Sequence, residues 1–446
     1  MSEYADIVVK NLSLAWFRNY VNSYVVSLFF TKKDLSITPN CKIDLGEDGS
    51  EEYTQYVYRT TVKKAKERLE AQGFSIGRLE KLFNEKMRYA IDYTHYLLHL
   101  DIDFDEYEEK VREGGKKKVS FAKWKNSVQK IIAYELVNGN ISPYKPDDTI
   151  KLSTESDKII YHSVKASEGN AFYGLITEHI NIGYIYRLIL ESFDDADEII
   201  LDFSNLQYWD EDCIPKALAA TDDVEKTVIL VEGTSDKDIL EFAISHIYPH
   251  LADLFYFMDF SDVNGNKRDG GTSYVVKNLK TFYYSRLKAN FIAVFDNDAE
   301  GYQCKCNLMR EAKKWTEKRW PDNFRILLYP DNKLFQKYPT LAPNGKLIMD
   351  CISRKACSIE LYLPDELISS NGDYLPIEWE SRKKITTADG NVEVLYQGVI
   401  SQKEEIKDRY HALRKSIEKG EKAFELEDWE RMKQLLDTIV FAFTKD

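Results

Sequence analysis

Two stretches decide the fold: TVILVEGTSDKDIL at residues 227–240 and NFIAVFDNDAEG at residues 290–301. Each places a short apolar run before acidic residues, a glycine and a helical pattern. Further apolar runs, LFYFMDF at 254–260 and RILLYP at 325–330, follow at similar spacing. Because strand-like and helical segments alternate, the pattern predicts an α/β unit whose mainly parallel sheet is flanked by helices.

Acidic residues follow two of these apolar runs directly. Glu232 and Gly233 come after the first run, and Asp296 and Asp298 come after NFIAVF. The carboxyl ends of parallel strands share one sheet edge, so we expect the three acids to converge there. Their mutual repulsion favours a bound divalent cation, and hard oxygen ligands select Mg²⁺ or Mn²⁺. A single acid after a strand is more often a helix cap or turn residue, but two matched occurrences favour a site.

Composition limits the partners of the chain. The 446 residues include 61 Lys and Arg and 74 Asp and Glu, giving a net charge of −13, so a generally cationic nucleic-acid coat is excluded. Nucleic acid would have to bind through local basic patches or metal ions. No apolar run of about 18 residues predicts a membrane span, and the acidic start MSEYADIVVK is unlike a signal peptide, so we expect a cytoplasmic protein. The six cysteines form no CxxC pair, which disfavours a zinc module.

VEGTSDKDIL followed by AVFDNDAEG resembles the Toprim domain of topoisomerases, bacterial primases and overcoming-lysogenization-defect nucleases. The matching positions are Glu232, Gly233 and Asp236 in the first element and Asp296, Asn297 and Asp298 in the second. SIELYLP at 358–364 resembles a later strand of the nuclease branch and places Glu360 on it. The opening at 2–34 resembles the N-terminal domain of bacterial HEPN/Toprim-associated proteins.

The resemblance implies phosphodiester cleavage in DNA or RNA with one or two Mg²⁺ or Mn²⁺ ions, in anti-phage defence. It implies that Asp296 and Asp298 hold a metal and that Glu232 is a general acid/base or a further ligand. Asp236 and Glu360 would help to hold a second ion. The lysines that could contact phosphate are Lys237, Lys355 and Lys403, although solvent-facing lysines are common.

The chain is expected to divide at polar stretches. We predict an α+β HEPN/Toprim-associated domain at 1–222, a Toprim domain at 223–370 and a helical extension at 371–446 that packs on it. Within the first domain, Tyr24–Phe30 is expected to be a strand or short core segment, and Thr54–His99 to be helical. Within the extension, a loop-rich part to about Gly398 precedes two helices.

A basic run with aromatic residues lies in the first domain. Cations beside aromatic rings suit a nucleic-acid backbone and base stacking. The predicted binding residues are Lys116, Lys117, Lys118, Lys123, Trp124 and Lys125. The alternative is a solvated lysine face after the glycine pair at 114–115.

Two rival functions remain open. Arg88 and His95 have the spacing of the Arg-x4–6-His pattern of metal-free HEPN ribonucleases, although chance produces such pairs often. Alternatively, the protein is an inactive nucleic-acid-binding or regulatory subunit of a defence complex. No GxxxxGK[ST] loop is present, so an ATPase would come from a partner, and the sequence also allows a homo-oligomer.

Overall fold

The computed structural model describes residues 3–44, 50–87, 120–138, 180–222, 224–258, 271–315 and 317–444. The chain divides into two compact units. The first comprises Met1–Val224 with Thr444–Asp446, and the second comprises Glu225–Phe443. In this division the sequence after residue 370 forms no unit of its own.

A five-stranded antiparallel sheet forms the centre of the first unit, in the order β2-β1-β5-β4-β3. Its strands are β1 (Tyr4–Val9), β2 (Leu12–Arg18), β3 (Leu35–Asp44), β4 (Ser50–Thr61) and β5 (Glu198–Asp202). β5 lies between β1 and β4 in the sheet. The sheet is therefore complete only when β1 pairs with a strand about 190 residues away in the sequence.

Helices accompany this sheet. They are α1 (Ser23–Phe29), α2 (Val62–Ala71), α3 (Ile76–Leu82), α4 (Phe121–Asn138), α5 (Ile182–Leu190) and α6 (Cys213–Leu218). The core includes Ile7, Leu69 and Ile189, each with no exposed surface. The α+β character expected for this region is therefore present.

Within the first unit, Tyr24–Phe30 is a largely buried core segment, one of the two forms that the sequence allowed, and not a strand. It lies mostly in α1, because the Asn22 side chain accepts a hydrogen bond from the Val25 amide and caps a helix. The expected helix from Thr54 begins only at Val62, because the preceding residues belong to β4 and pair with β3 and β5.

The second unit contains the predicted parallel sheet, in the order β10-β8-β6-β7. Its strands are β6 (Thr227–Leu230), β7 (Phe255–Met258), β8 (Phe291–Phe295) and β10 (Phe324–Leu328). All five residues of β8 are buried, as expected for a central strand covered on both faces.

Three helices connect these strands and return the chain to the starting edge of the sheet. They are α7 (Thr234–Ile247), α8 (Thr272–Tyr284) and α9 (Ala299–Ala312). Consequently, residues that follow β6 and β8 lie at one edge, and residues that end α8 and α9 lie at the other.

A second sheet in this unit has the order β12-β11-β16-β17, from β11 (Tyr338–Leu341), β12 (Leu347–Asp350), β16 (Ile377–Thr386) and β17 (Val392–Ile400). The last two form a long hairpin where the sequence predicted loops. A two-residue strand, β9 (Asn297–Asp298), pairs with β13 (Ala356–Cys357), and β14 (Ser369–Ser370) pairs with β15 (Asp373–Tyr374).

The two helices predicted near the end of the chain are present as α10 (Lys403–Glu418) and α11 (Glu430–Val440). Within the described ranges, no helix is both long and apolar enough to cross a membrane.

Candidate carboxylate site at the sheet edge

Glu232 joins two of the parallel strands at their carboxyl ends. It lies two residues beyond β6, and its Oε1 accepts a hydrogen bond of 3.1 Å from the backbone amide of Asp296, directly after β8. Its own carbonyl oxygen accepts a hydrogen bond of 3.1 Å from the amide of Gly271. The side chain therefore has a fixed position between the two acidic segments that the sequence predicted to meet.

The segment 296–301 forms a tight turn into α9. Asp298 is the N-cap of this helix, and its Oδ1 accepts a hydrogen bond of 2.7 Å from the Gly301 amide. A Cβ atom added at Gly301 would lie only 2.2 Å from the Asp296 carbonyl oxygen, closer than any real contact. The glycine thus allows the first turn of α9 to pack against the strand end that carries Asp296.

The hairpin of the second sheet also reaches this turn. Gln397 on β17 donates a hydrogen bond of 2.6 Å to Asp298 Oδ2. Lys383 on β16 lies 2.8 Å from Glu300 Oε2, and this pairing lowers the Glu300 pKa. Sequence reasoning missed these contacts because it treated residues 371–398 as loop, so no strand alternation identified which hairpin residues face the acids.

Asp236 and Glu360 form a second part of the same acidic edge. Asp236 lies in the first turn of α7 and is 7% exposed, whereas Glu360 is fully buried. Ser358 Oγ donates a hydrogen bond of 2.6 Å to Glu360 Oε2, and Lys403 Nζ lies 3.2 Å from Glu360 Oε1. Glu360 belongs to a short 3₁₀ turn, Ile359–Tyr362, so its predicted strand is wrong, although it joins the other acids.

Burial and mutual repulsion raise the pKa values of these carboxyl groups. Burial, followed by the charge of Asp298, raises the pKa of Glu232 to about 8. Burial and the charge of Glu360 raise the pKa of Asp236 to about 7. Burial and the charge of Glu232 hold the pKa of Asp296 well above its ordinary value, and burial raises that of Asp298. Near neutral pH, this edge of the metal-free protein therefore retains protons that isolated carboxyl groups would release.

Lys403 supplies part of the missing positive charge. Burial alone would lower its pKa, but the carboxylates of Glu360, Asp296 and Asp236 outweigh that effect and raise it. We expected this lysine to bind nucleic acid, and it lies inside the carboxylate site. Lys237 is half-buried next to Asp236.

Lys355 is the remaining lysine predicted to contact phosphate. Its Nζ lies 3.6 Å from Asp350 Oδ1 and 5.9 Å from the ring centre of Trp379. Its backbone forms an isolated bridge with Asp298. The structure therefore places Lys355 beside the acidic turn, with its side chain between Asp350 and an aromatic ring.

The carboxylate oxygens of this site are of the chemical type that binds a hard divalent cation. Oδ1 of Asp296 is buried and has no hydrogen-bond partner within the described chain, although a buried carboxylate oxygen needs a donor or a cation. Carboxylate oxygens are the ligands that Mg²⁺ and Mn²⁺ take. Among the described residues, however, no three His, Cys, Asp or Glu side chains already form a group that could hold a metal ion. The residue types therefore suit such an ion, but in this structure their side chains are not yet close enough together to coordinate one.

Trp124 corrects part of the predicted basic binding run. It is 1% exposed and packs against Phe83 and Phe121 in the core of the first unit, with ring centres 5.3 and 5.9 Å away. Its ring is therefore not accessible to a base. Lys125 lies 3.2 Å from Glu191, and Lys123 is exposed on the same helix.

Several other predicted residues lie outside the described part of the chain, namely Arg88, His95, Lys116, Lys117 and Lys118. The roles proposed for them stay predictions.

Comparison with known protein families gives a match for the first region. Residues 1–218 match the family model described as HEPN/Toprim N-terminal domain 1, which supports the predicted likeness of the first region. No curated protein and no solved structure matches the chain. The carboxylate site lies beyond the matched residues.

Proposed function

We propose that this protein is a metal-dependent nuclease whose second unit cleaves phosphodiester bonds of DNA or RNA. Glu232, Asp296 and Asp298 form its catalytic centre, and Asp236 and Glu360 extend it. The description of the matched N-terminal family, which names Toprim, supports a nuclease-associated protein. A role in anti-phage defence follows from the family description by analogy.

One observation carries the proposal: the buried Oδ1 of Asp296 lacks a partner in a cluster of acids whose pKa values are raised. Such a cluster is costly in a protein without a ligand, because each carboxylate loses hydration and repels its neighbours. A bound cation removes both costs. Clusters of this kind are typical of functional sites.

The residues divide the chemistry among themselves. A bound Mg²⁺ or Mn²⁺ ion would polarise the scissile phosphate and stabilise developing negative charge. Asp296 and Asp298 would hold it. Glu232, whose pKa burial raises to about 8 in the metal-free protein, would act as the general acid/base or as a further ligand of the ion.

The lysines of this edge would act on the substrate. Lys403 stands beside Glu360 and would neutralise a phosphate that enters the acidic edge, and we assign the same role to Lys237 and Lys355. Asp236 and Glu360 would help to hold a second ion if one binds.

The test compares Asp296→Asn with the unchanged protein on plasmid, single-stranded DNA and tRNA, with Mg²⁺, Mn²⁺ or EDTA. We expect cleavage only with a metal, and a loss on the order of 10²–10⁴ in rate in the variant. Calorimetric titration with Mn²⁺ gives a second measure, and the variant should bind it more weakly. Asp373→Asn is the matched control, because this aspartate is exposed in the same unit.

The rival readings give different results. Cleavage that persists in EDTA and in Asp296→Asn, but is lost in His95→Ala, would move the active site to the first unit and contradict the proposal. Absence of cleavage on all three substrates with either metal would favour the regulatory subunit.

A further inference from the structure

A groove lies at the edge of the parallel sheet opposite the carboxylates, where α8 and α9 end. Its volume is about 690 Å³, and its lining includes Tyr283, Tyr284, Arg286, Lys314, Trp315 and Arg319. This volume lies within the range of roughly 300–1,000 Å³ of ligand pockets. It suits a nucleotide unit, whereas a duplex is much wider.

Aromatic rings form one wall of the groove. Tyr283 and Trp315 stack face to face with ring centres 4.3 Å apart and planes 5° apart. Trp320 packs edge-on against both rings and is itself buried, and its Nε1 donates a hydrogen bond to the Leu308 carbonyl. The stacked pair therefore has a fixed orientation. Tyr284, which is 65% exposed, adds a ring facing solvent.

The charge of the groove is opposite to that of the chain. Arg286 and Lys314 have no ion pair within the described residues, and Arg319 contacts Asp322 at 3.4 Å. Glu317 is the acidic residue in the lining. Three cations and one acid in a chain of net charge −13 are a local excess that attracts anions.

The backbone at Arg286 supports a role for its side chain. The amides of Arg286 and Leu287 bond to the carbonyls of Tyr283 and Phe282, which is the Schellman pattern at the end of α8. Arg286 has φ 53° at the position where this pattern favours glycine. The cap alone does not explain an arginine there.

We propose that this groove binds a single-stranded segment of nucleic acid. A base stacks on the exposed rings, and Arg286, Lys314 and Arg319 contact the phosphates. Base faces are available to such rings only when the strand is unpaired, and stacking tolerates any base sequence. The proposal shares its ligand class with the proposed function, but it concerns binding and needs no cleavage.

Fluorescence anisotropy in EDTA with a labelled oligothymidine of about 20 nucleotides, at about 50 mM salt, tests the groove without cleavage. We expect Arg286→Glu with Lys314→Glu to raise the Kd by about tenfold or more, because two phosphate contacts become repulsive. Lys346→Glu with Lys415→Glu is the matched control, since both lysines are exposed elsewhere in the same unit, in the turn between β11 and β12 and on α10, and the net charge changes equally. We expect a change of less than about twofold there.

Tyr284→Ala tests the ring separately. It should weaken binding of oligothymidine but not of an abasic strand of equal length, and Tyr284→Phe should restore binding because it keeps the ring. The exposed position makes a folding defect easy to exclude by circular dichroism.

If both double variants lost the same affinity for oligothymidine, the effect would come from the overall charge of the protein, and the proposal would be overturned. Tighter binding of duplex than of single strands would also overturn it, and so would equal competition by polyglutamate, which would indicate a surface for acidic polymers. If the protein bound oligothymidine normally but cleaved no substrate, the proposed nuclease function would be contradicted and the groove proposal would be supported.

Discussion

Glu232 is subject to opposing influences on its ionisation. The Asp296 amide donates to its Oε1 and favours the charged form, whereas burial and the nearby charges of Asp298 and Asp236 favour the protonated form. The second influence is larger, because the pKa rises to about 8 from an ordinary value of 4.5. The same residue is therefore a proton carrier near neutral pH and a source of instability when it is charged.

This balance predicts how stability depends on pH. Between the ordinary pKa of 4.5 and the folded value of about 8, the folded state binds more protons than the unfolded state. Stability of the metal-free protein should therefore fall as pH rises from about 5 to about 8. Glu232→Gln removes the part of this loss that comes from Glu232 and should be the more stable protein at pH 8, by an amount on the order of a few kcal/mol. Urea unfolding with a chelator across this range measures the difference.

Glu378→Gln is the control for this measurement, because Glu378 is exposed on β16. Its stability should follow that of the unchanged protein at every pH. If Glu232→Gln followed it as well, the Glu232 carboxyl group would not carry the buried charge that we assign to it.

Individual residues differ in how far the sequence predicts them. Glu232, Asp296 and Asp298 follow from strand order alone, since parallel strands end at one edge. The pairing of Lys403 with Glu360 could not be predicted, because it depends on where α10 starts in space. Trp124 belongs to an apolar stripe whose spacing predicts burial, although lysines flank it in the sequence. Phe121, Trp124, Val128 and Ile132 recur every three or four residues and form the buried stripe of α4.

At the scale of elements, the four parallel strands were predictable because each is an apolar run between helical patterns. Strand β4 was not predicted: its Tyr, Val and Thr residues favour strands, but only its pairing with β3 and with the distant β5 defines where the strand ends and α2 begins. The hairpin of β16 and β17 was missed for a similar reason. Its exposed strands carry many charges, so alternation was weak, and their pairing becomes visible only in the folded sheet.

Helix α9 allows the two roles of Asp298 to be separated. Its Oδ1 caps the helix through the Gly301 amide, and its charge belongs to the carboxylate site. Asp298→Asn keeps an oxygen for the cap and removes the charge, whereas Asp298→Ala removes both. We expect the alanine variant to be less stable than the asparagine variant by about 0.5–2 kcal/mol in urea unfolding with a chelator.

Cleavage should be lost in both variants, because neither keeps the carboxylate. Equal stability of the two would show that the cap contributes nothing to α9. Near-normal cleavage by Asp298→Asn would show that the carboxylate charge is not needed for the chemistry.

At the scale of the whole molecule, the family match and the candidate site lie in different units. The first unit contains the residues that match a known family, and the second contains the carboxylate site and the cationic groove at its opposite edge. Each has its own sheet and its own buried core. A ligand of the second unit should therefore stabilise that unit without requiring a change in the first.

The effect of Mn²⁺ on hydrogen exchange in each unit tests this expectation. A ligand that binds only the folded state stabilises it by about 2.7 kcal/mol at a concentration of 100 times its Kd. In hydrogen exchange followed by mass spectrometry, Mn²⁺ should slow exchange in peptides containing the amides of Asp296 and Gly301, which donate to Glu232 and Asp298. Peptides from β1 and β2 should exchange at an unchanged rate.

Asp296→Asn is the matched control for this last experiment, because it keeps the size of the side chain and loses a carboxylate of the site. Its exchange should not respond to Mn²⁺, and a sodium salt of equal ionic strength should have no effect on the unchanged protein. Slower exchange in both units, or an unchanged response in the variant, would mean that the cation binds elsewhere. In that case the raised pKa values of the acidic edge would reflect burial alone, and the unpartnered oxygen of Asp296 would not be a metal ligand.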